Sequence, residues 1–236
     1  MKRALGYVRK AVEDFNMIQE GDRIAIGVSG GKDSLTLLKA LKLYQRFSPV
    51  SYHLEAITIT MGFDNFDITP VEEFCRELDV PFTVVNTMIG KIIFEERKEK
   101  NPCSLCARMR RGALHDAALE LGCKKVALGH NLDDALETFF LSLFHEGRFN
   151  TFSPVTYLDR KDITLIRPLI YAPEPEIIGT VRRQNIPVVP SLCPAAGHTQ
   201  REEMKKLLRS LAKTYPNIRE QMLTALKSKH NRNLWD

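Results

Sequence analysis

Two short runs in this chain carry residue types that do chemistry, at spacings that suit it. In the first, Ser29-Gly30-Gly31-Lys32-Asp33-Ser34 follows directly on the apolar stretch Ile24-Ala25-Ile26-Gly27-Val28. Adjacent glycines reach torsions closed to other residues and let successive amides approach an anion. A helix beginning near Asp33 adds its positive end, so the run predicts a phosphate cradle. The longer ATP loop ending in Gly-Lys-Ser/Thr and the Gly-x-Gly-x-x-Gly fingerprint are both absent, which implies a different nucleotide chemistry. The second run is Cys103-Ser104-Leu105-Cys106, a turn that sets two thiolates on one metal or makes a redox pair. Cys193 and His198 would complete a zinc site. Three cysteines with one open position suit instead a 4Fe-4S cluster, whose remaining iron can hold sulfide; spacing leaves zinc and iron both open.

A third run, Gly129-His130-Asn131-Leu132-Asp133-Asp134, puts two carboxylates in the first turn of a helix, where they ordinarily stabilise the helix dipole. Arg108, Arg111 and His115 share one face of the helix expected after Cys103, opposite Leu114, Ala118 and Leu121. Such a face is usually solvated, but beside a metal centre it suits a nucleic-acid phosphate, as do Arg182 and Arg183.

Elements that position these runs follow from the apolar periodicity. Strands are expected over Arg23 to Val28, His53 to Thr60, Pro81 to Thr87, Lys124 to Gly129 and Asp162 to Leu169. Helices are expected over Leu5 to Met17, Ser34 to Arg46, Asp67 to Asp79, Cys103 to Leu121 and Leu132 to His145. Alternating strands and helices predict an α/β fold with a doubly wound parallel sheet, whose ligands bind beyond the carboxyl ends of the strands. Ser29, Met61, Thr87 and His130 each follow a strand, so their loops gather on that rim. Past Ala172 the prolines at 173, 175, 187, 190 and 194 break the pattern, and helices return over Thr199 to Lys213 and Pro216 to Lys227. The expected organisation is a nucleotide-binding domain over residues 1–172 and a helical extension over 173–236 that carries Cys193.

Composition narrows the class. With 236 residues, 44% hydrophobic and 27% charged, the chain suits one globular α/β core. Five cysteines without an export signal indicate reduced thiols and a cytoplasmic protein. No apolar run is long enough to cross a membrane. A net charge of +5 fits an acidic partner without requiring one. Cys75 and Cys123 read as core residues, and the charged run from Glu95 to Lys100 as a solvated loop.

Ser29 to Ser34 resembles the Ser-Gly-Gly-x-Asp-Ser signature of the PP-loop ATP pyrophosphatases, which cut ATP between the α and β phosphates. Gly129-His130-x-x-Asp133-Asp134 is similar to the Gly-His-x-x-Asp-Asp motif of members that act on tRNA, and Arg167-Pro168-Leu169 to another element of that family. Adding Cys103-x-x-Cys106 with Ala107-Arg108-Met109-Arg110-Arg111-Gly112, and a late Cys193 with Gln200-Arg201, the order resembles the TtcA family of tRNA 2-thiocytidine synthetases over residues 20–205. The resemblance implies ATP held by Ser29, Gly30, Gly31, Lys32, Asp33, Ser34, His130, Asp133 and Asp134. It implies Mg²⁺ near Asp33 and Asp133, and a 4Fe-4S cluster on Cys103, Cys106 and Cys193, with zinc the alternative. Catalysis would rest on Lys32, Asp33 and the three cysteines. It implies tRNA as substrate, a sulfur donor such as a cysteine desulfurase or free sulfide, and a homodimer. One departure is Pro190, which stands where typical members carry the first cysteine of a second Cys-x-x-Cys.

The implied reaction is ATP-dependent replacement of a pyrimidine carbonyl oxygen, expected at cytidine C2, by sulfur. Two rivals share parts of this pattern. A PP-loop ligase forming lysidine or an amide needs no cysteine triad. A zinc-stabilised nucleic-acid-binding module would use the glycine loop as an anion site without turning over ATP.

Overall fold

The computed structural model of the chain describes residues 1–64, 66–97, 102–194 and 200–228. His198, Lys98 to Lys100 and the basic tail beyond Ser228 lie outside the described residues.

Six strands form one sheet in the order β3-β2-β1-β4-β6-β5. β1 (Asp22–Gly27) buries Ile24, Ala25 and Ile26 in succession, the mark of a strand covered on both faces. It pairs in parallel with β2 (Tyr52–Ile59) on one side and β4 (Lys125–Ala127) on the other; β2 continues to β3 (Phe82–Val85) and β4 to β6 (Ile163–Ile166). The chain therefore winds one way from β1 to β3 and the other way from β4 onward. The crevice at the carboxyl ends of β1 and β4 is where such sheets bind ligands.

One face of the sheet is covered by α1 (Lys2–Asp14), α2 (Lys32–Tyr44) and α3 (Thr69–Glu77), through a core that includes Val8, Leu35, Leu38, Leu41, Val71 and Phe74. The other face is covered by α5 (Pro102–Glu120), whose Leu114 and Ala118 pack on Ala25, Ile57 and Val126. The short α4 (Ile89–Lys91) leads through a π-type turn to Glu96. α6 (Leu132–Leu141) follows β4 and runs into a second such turn ending at Gly147. α8 (Gln200–Thr214) and α9 (Ile218–Lys227) cover α6 with Met204, Leu208 and Met222 against Leu132, Leu136 and Phe140. Cys75 and Cys123 are fully buried, one in each main core.

Two elements fall outside the expectation. β5 (Val155–Leu158) pairs antiparallel with β6, the strand expected over Asp162 to Leu169. It is a four-residue edge strand whose connection, Asp159–Lys161, is charged, so no period announces it. The second element is α7 (Glu174–Gln184), in the proline-rich stretch read as broken. Pro173 is its N-cap and Pro175 lies in its first turn, where a missing N–H costs nothing. α7 buries Ile177 in the same core as α2, so the chain past Ala172 first returns to the main body and only then builds α8 and α9 over α6.

Candidate active site

β1 delivers the chain to the rim at Gly27, and the glycine loop that follows is closed by its own hydroxyls. Ser34 Oγ accepts from the Ser29 amide at 3.1 Å and donates to the Gly31 carbonyl at 3.0 Å. Ser29 Oγ lies 3.2 Å from Ser34 Oγ and accepts from the Gly31 amide at 3.4 Å. Gly30 has φ +77°, and a Cβ there would meet the Val189 Cβ at 3.2 Å, so backbone and space both demand glycine. Gly31 caps α2 without a side-chain acceptor, which leaves the first-turn amides for an anion.

The β4–α6 turn presses directly on this loop. A Cβ on Gly129 would sit 3.0 Å from Ser34 N, so a side chain at 129 would force the two turns apart. Asn131 caps α6, accepting from the Asp134 amide at 3.1 Å while Asp134 Oδ2 accepts from the Asn131 amide at 2.9 Å. The same Asn131 donates from Nδ2 to Asp33 Oδ1 at 2.9 Å, which fixes one carboxylate of the loop against the other turn. Burial raises the pKa of Asp134, and the Asp33 charge adds to that rise, while the Asn131 amide offsets it.

Lys32 connects the loop to the late part of the chain. Its Nζ lies 2.7 Å from Asp33 Oδ2 and 3.0 Å from Glu174 Oε1. Glu174 is buried and also receives Lys205 Nζ at 2.5 Å and Arg209 at 3.5 Å. Burial alone would push the Lys32 pKa down; Asp33 and Glu174 outweigh it and hold the ammonium above its ordinary value. Burial would likewise raise Glu174, yet Lys205 and Lys32 bring it below the usual carboxylate value. Glu137, one turn along α6, is pushed up to about 7 by burial and by Asp134, with Arg201 at 3.6 Å offsetting part of the rise.

Cys106 and Cys193 face one cavity of about 220 Å³, together with Ser29 and Gly31 of the glycine loop, Thr60 after β2 and Arg110. The tie is local: Val189 N donates to Gly30 O at 2.9 Å, so the segment leading to Cys193 runs against the glycine loop. Cys103 lies one turn before Cys106 on α5 and is exposed. Burial raises the Cys106 thiol, Arg110 works against that, and Cys193 and Cys103 add to the rise. Among the described residues no three His, Cys, Asp or Glu side chains stand close enough together to hold a metal ion.

Two expected site residues have other partners. Asp133 is buried with both oxygens engaged: Oδ2 accepts from the Glu174 amide at 2.7 Å, and Oδ1 from Arg219 Nε at 2.8 Å. It pins α7 and α9 to α6. His130 packs on Phe152 with ring centroids 5.0 Å apart, and Arg167 stacks on the other partner of that pair, 5.0 Å from the Phe152 centroid. Burial and Arg167 push His130 down to about 4, so it is neutral at physiological pH. Arg167 is itself lowered to about 10 by burial and by Arg111, and its Nη1 donates to Ser153 O at 2.6 Å.

The PP-loop domain matches residues 6–191. The tRNA-cytidine(32) 2-sulfurtransferase of Citrifermentans bemidjiense is 42% identical over 97% of this chain and 91% of its own length. That of Geobacter sulfurreducens is 42% identical over 100% of this chain and 93% of its own. The chain belongs to the PP-loop family of tRNA-cytidine(32) 2-sulfurtransferases. A solved member of the wider fold, the U34-tRNA thiolase NcsA from Methanococcus maripaludis with its 4Fe-4S cluster, superimposes with a TM-score of 0.78 at 26% identity, over 95% of this chain and 76% of its own. The NH3-dependent NAD synthetase from Campylobacter jejuni, at 17% identity and a TM-score of 0.50, shares the fold alone.

Within this sulfurtransferase family member, the rim gathers Ser29, Gly30, Gly31, Lys32, Asp33, Ser34, Asp134, Cys106 and Cys193. Asn131, Glu137, Glu174 and Lys205 joined them without being anticipated. Asn131 carried a readable signal: it is a strong N-cap residue one position before an apolar helix, with an acid three positions on. Glu174 carried none, because its partners lie far away in sequence.

Proposed function

We propose that this chain adenylates the C2 carbonyl oxygen of a cytidine in tRNA and replaces that oxygen with sulfur. The observation that carries the reading is the single cavity that Ser29 and Gly31 share with Cys106 and Cys193. Nucleotide activation and sulfur delivery need adjacent sites, because an adenylated base hydrolyses in water.

The pyrimidine oxygen attacks the α phosphorus of ATP, an O–P bond forms, and the bond to the β phosphate breaks with release of pyrophosphate. The loop amides around Gly30 and Gly31, with Ser29 and Ser34, hold the leaving pyrophosphate. Lys32, kept protonated by Asp33 and Glu174, offsets the charge that develops there. Asp33, whose charge raises the Asp134 pKa, and Asp134 itself would hold Mg²⁺, which would supply positive charge beside the phosphates; Asp133, the other carboxylate expected there, is committed to Arg219 and α7. A sulfur nucleophile then adds to C2 and AMP departs with the former carbonyl oxygen.

Three thiols, two of them in the nucleotide cavity and the third one helical turn away, match the thiolate chemistry of a 4Fe-4S cluster. Cys103, Cys106 and Cys193 would hold it, and it would supply sulfur at an iron that no protein residue ligates. The apolar walls of the cavity, Ile59, Met61, Phe63 and Leu192, exclude water from the activated base. A cytoplasmic homodimer fed by a cysteine desulfurase or free sulfide fits this reading.

Oxygen-free protein incubated with ATP, sulfide and unmodified tRNA is expected to release AMP and pyrophosphate and to yield thiolated cytidine by mass spectrometry. Its brown absorbance should disappear in Cys103→Ala. A lysine-bearing base would point to the ligase chemistry, and a colourless zinc protein that leaves ATP intact to the binding module.

A further inference from the structure

Beyond the cavity, the turn after α6 presents aromatic rings in an arrangement that the adenylation chemistry leaves unused. Phe144 is 56% exposed and Phe149 is 68% exposed, only five positions apart. They are the outer ends of a row of contacting rings: Phe144 lies parallel to Phe140 at 5.7 Å, and Phe149 sits tilted 6.0 Å from Phe139, which lies 6.1 Å from Phe140. Inward, the same segment reaches Phe152, which packs on His130 and carries Arg167 on its ring. The chain segment therefore runs from two solvent-exposed rings to Phe152 at the rim of the active site.

The segment is held rather than loose. Arg148 N donates to Ser142 O at 3.1 Å, and Thr151 Oγ1 donates to Ala135 O at 2.8 Å, one anchor on each side of Phe149. Gly147, at φ +63°, makes the left-handed turn between Phe144 and Phe149. A held loop that keeps two phenyl rings largely in water forgoes burial that each could otherwise gain. A contiguous apolar patch of this kind marks a binding surface.

Charge identifies the partner. Arg148, between the two rings, has no ion pair among the described residues, and neither do Arg108, Arg110 and Arg111 on α5. Arg111 is close enough to act electrostatically on both His130 and Arg167, which places the α5 arginines beside the same rim. Exposed aromatic rings with Arg148 between them, beside α5 arginines that answer no carboxylate among the described residues, suit unstacked bases of a single-stranded RNA loop, with the rings taking base faces and the arginines taking phosphates. Glu146 shares the turn and accepts from Ser142 Oγ at 3.2 Å, and a second copy of this chain would still set the α5 arginines against like charge.

We infer that Phe144, Arg148 and Phe149 form the platform on which unpaired loop bases of the substrate RNA stack, next to the nucleotide being modified. This rests on the tRNA reading above. The test is binding of a fluorescent RNA hairpin with an unpaired loop, against a blunt RNA duplex of equal charge. The double variant Phe144→Ala/Phe149→Ala should bind the hairpin roughly tenfold or more weakly, with duplex and ATP binding unchanged. Phe144→Tyr/Phe149→Tyr should retain affinity, because the ring face remains, while the Leu pair should not. Leu variants that bind the hairpin like the wild type overturn the platform. So does loss of self-association with RNA affinity intact, which would make the row a subunit contact. Wild-type protein that binds ATP but neither hairpin nor intact tRNA sinks the tRNA reading itself, whereas binding unaffected by every Phe variant removes only the platform.

Discussion

Two helices bring sets of cations to the same rim and use them in opposite ways. On α8, Arg201 reaches Asp134 and Glu137, while Lys205 and Arg209 both reach Glu174. On α5, Arg108, Arg110 and Arg111 have no ion pair among the described residues. Positive charge alone therefore does not mark a nucleic-acid surface. What distinguishes the two is whether a carboxylate already answers the charge. The α8 cations answer buried acids and fix the helix over α6; the α5 cations, with Arg148, are left for a ligand.

The largest test of this contrast is at its shared centre. Lys32→Ala should lower tRNA-dependent AMP release roughly a hundredfold, because the leaving pyrophosphate loses its fixed cation. Glu174→Ala should then cost about 3 kcal/mol in stability, measured by urea unfolding, since it leaves Lys205 and Arg209 without a counter-charge and Lys32 with Asp33 alone. Equal destabilisation by Arg111→Gln would abolish the distinction between the helices.

A titration sharpens it. Glu137 has a native pKa of about 7 against an ordinary value of 4.5. Between those values the folded chain holds a proton that the unfolded chain has released, so stability falls as pH rises through that window. Glu137→Gln should flatten that fall in melting temperature between about pH 5 and about pH 8. His130, depressed to about 4, contributes with the opposite sign, its share being lost as pH drops through the folded value. The smallest effect belongs to α5. Arg108→Gln and Arg111→Gln should each change stability by less than about 0.5 kcal/mol. Each should lower the slope of log affinity against log salt for tRNA by about one.

Contiguous features were legible in the sequence. The glycine loop and the alternation that yields the doubly wound sheet depend on neighbours within a few positions, and each lies where its pattern predicts; Cys103 and Cys106 lie on the helix expected there, with Cys106 on the cavity and Cys103 exposed. Features that depend on distant partners were not. Asp133 and Asp134 are adjacent and chemically alike, yet one caps Asn131 and faces Asp33 electrostatically while the other ties down Arg219. Nothing in Gly-His-x-x-Asp-Asp separates them, because the difference comes from α7 and α9. Pro173 and Pro175 misled in another way: proline disrupts a helix interior but suits its first turn, and only the fold says which applies. Cys193 was offered as a third ligand with nothing local to bring it to the loop; the bond from Val189 to Gly30 does so.

That bond joins two halves of the chemistry through a single peptide contact. Any shift of Gly30 when triphosphate settles on the loop would be passed by that bond to the segment bearing Cys193, four residues on. Thermodynamic reciprocity then requires that filling the sulfur centre alter the affinity for nucleotide by the same factor that nucleotide alters the centre.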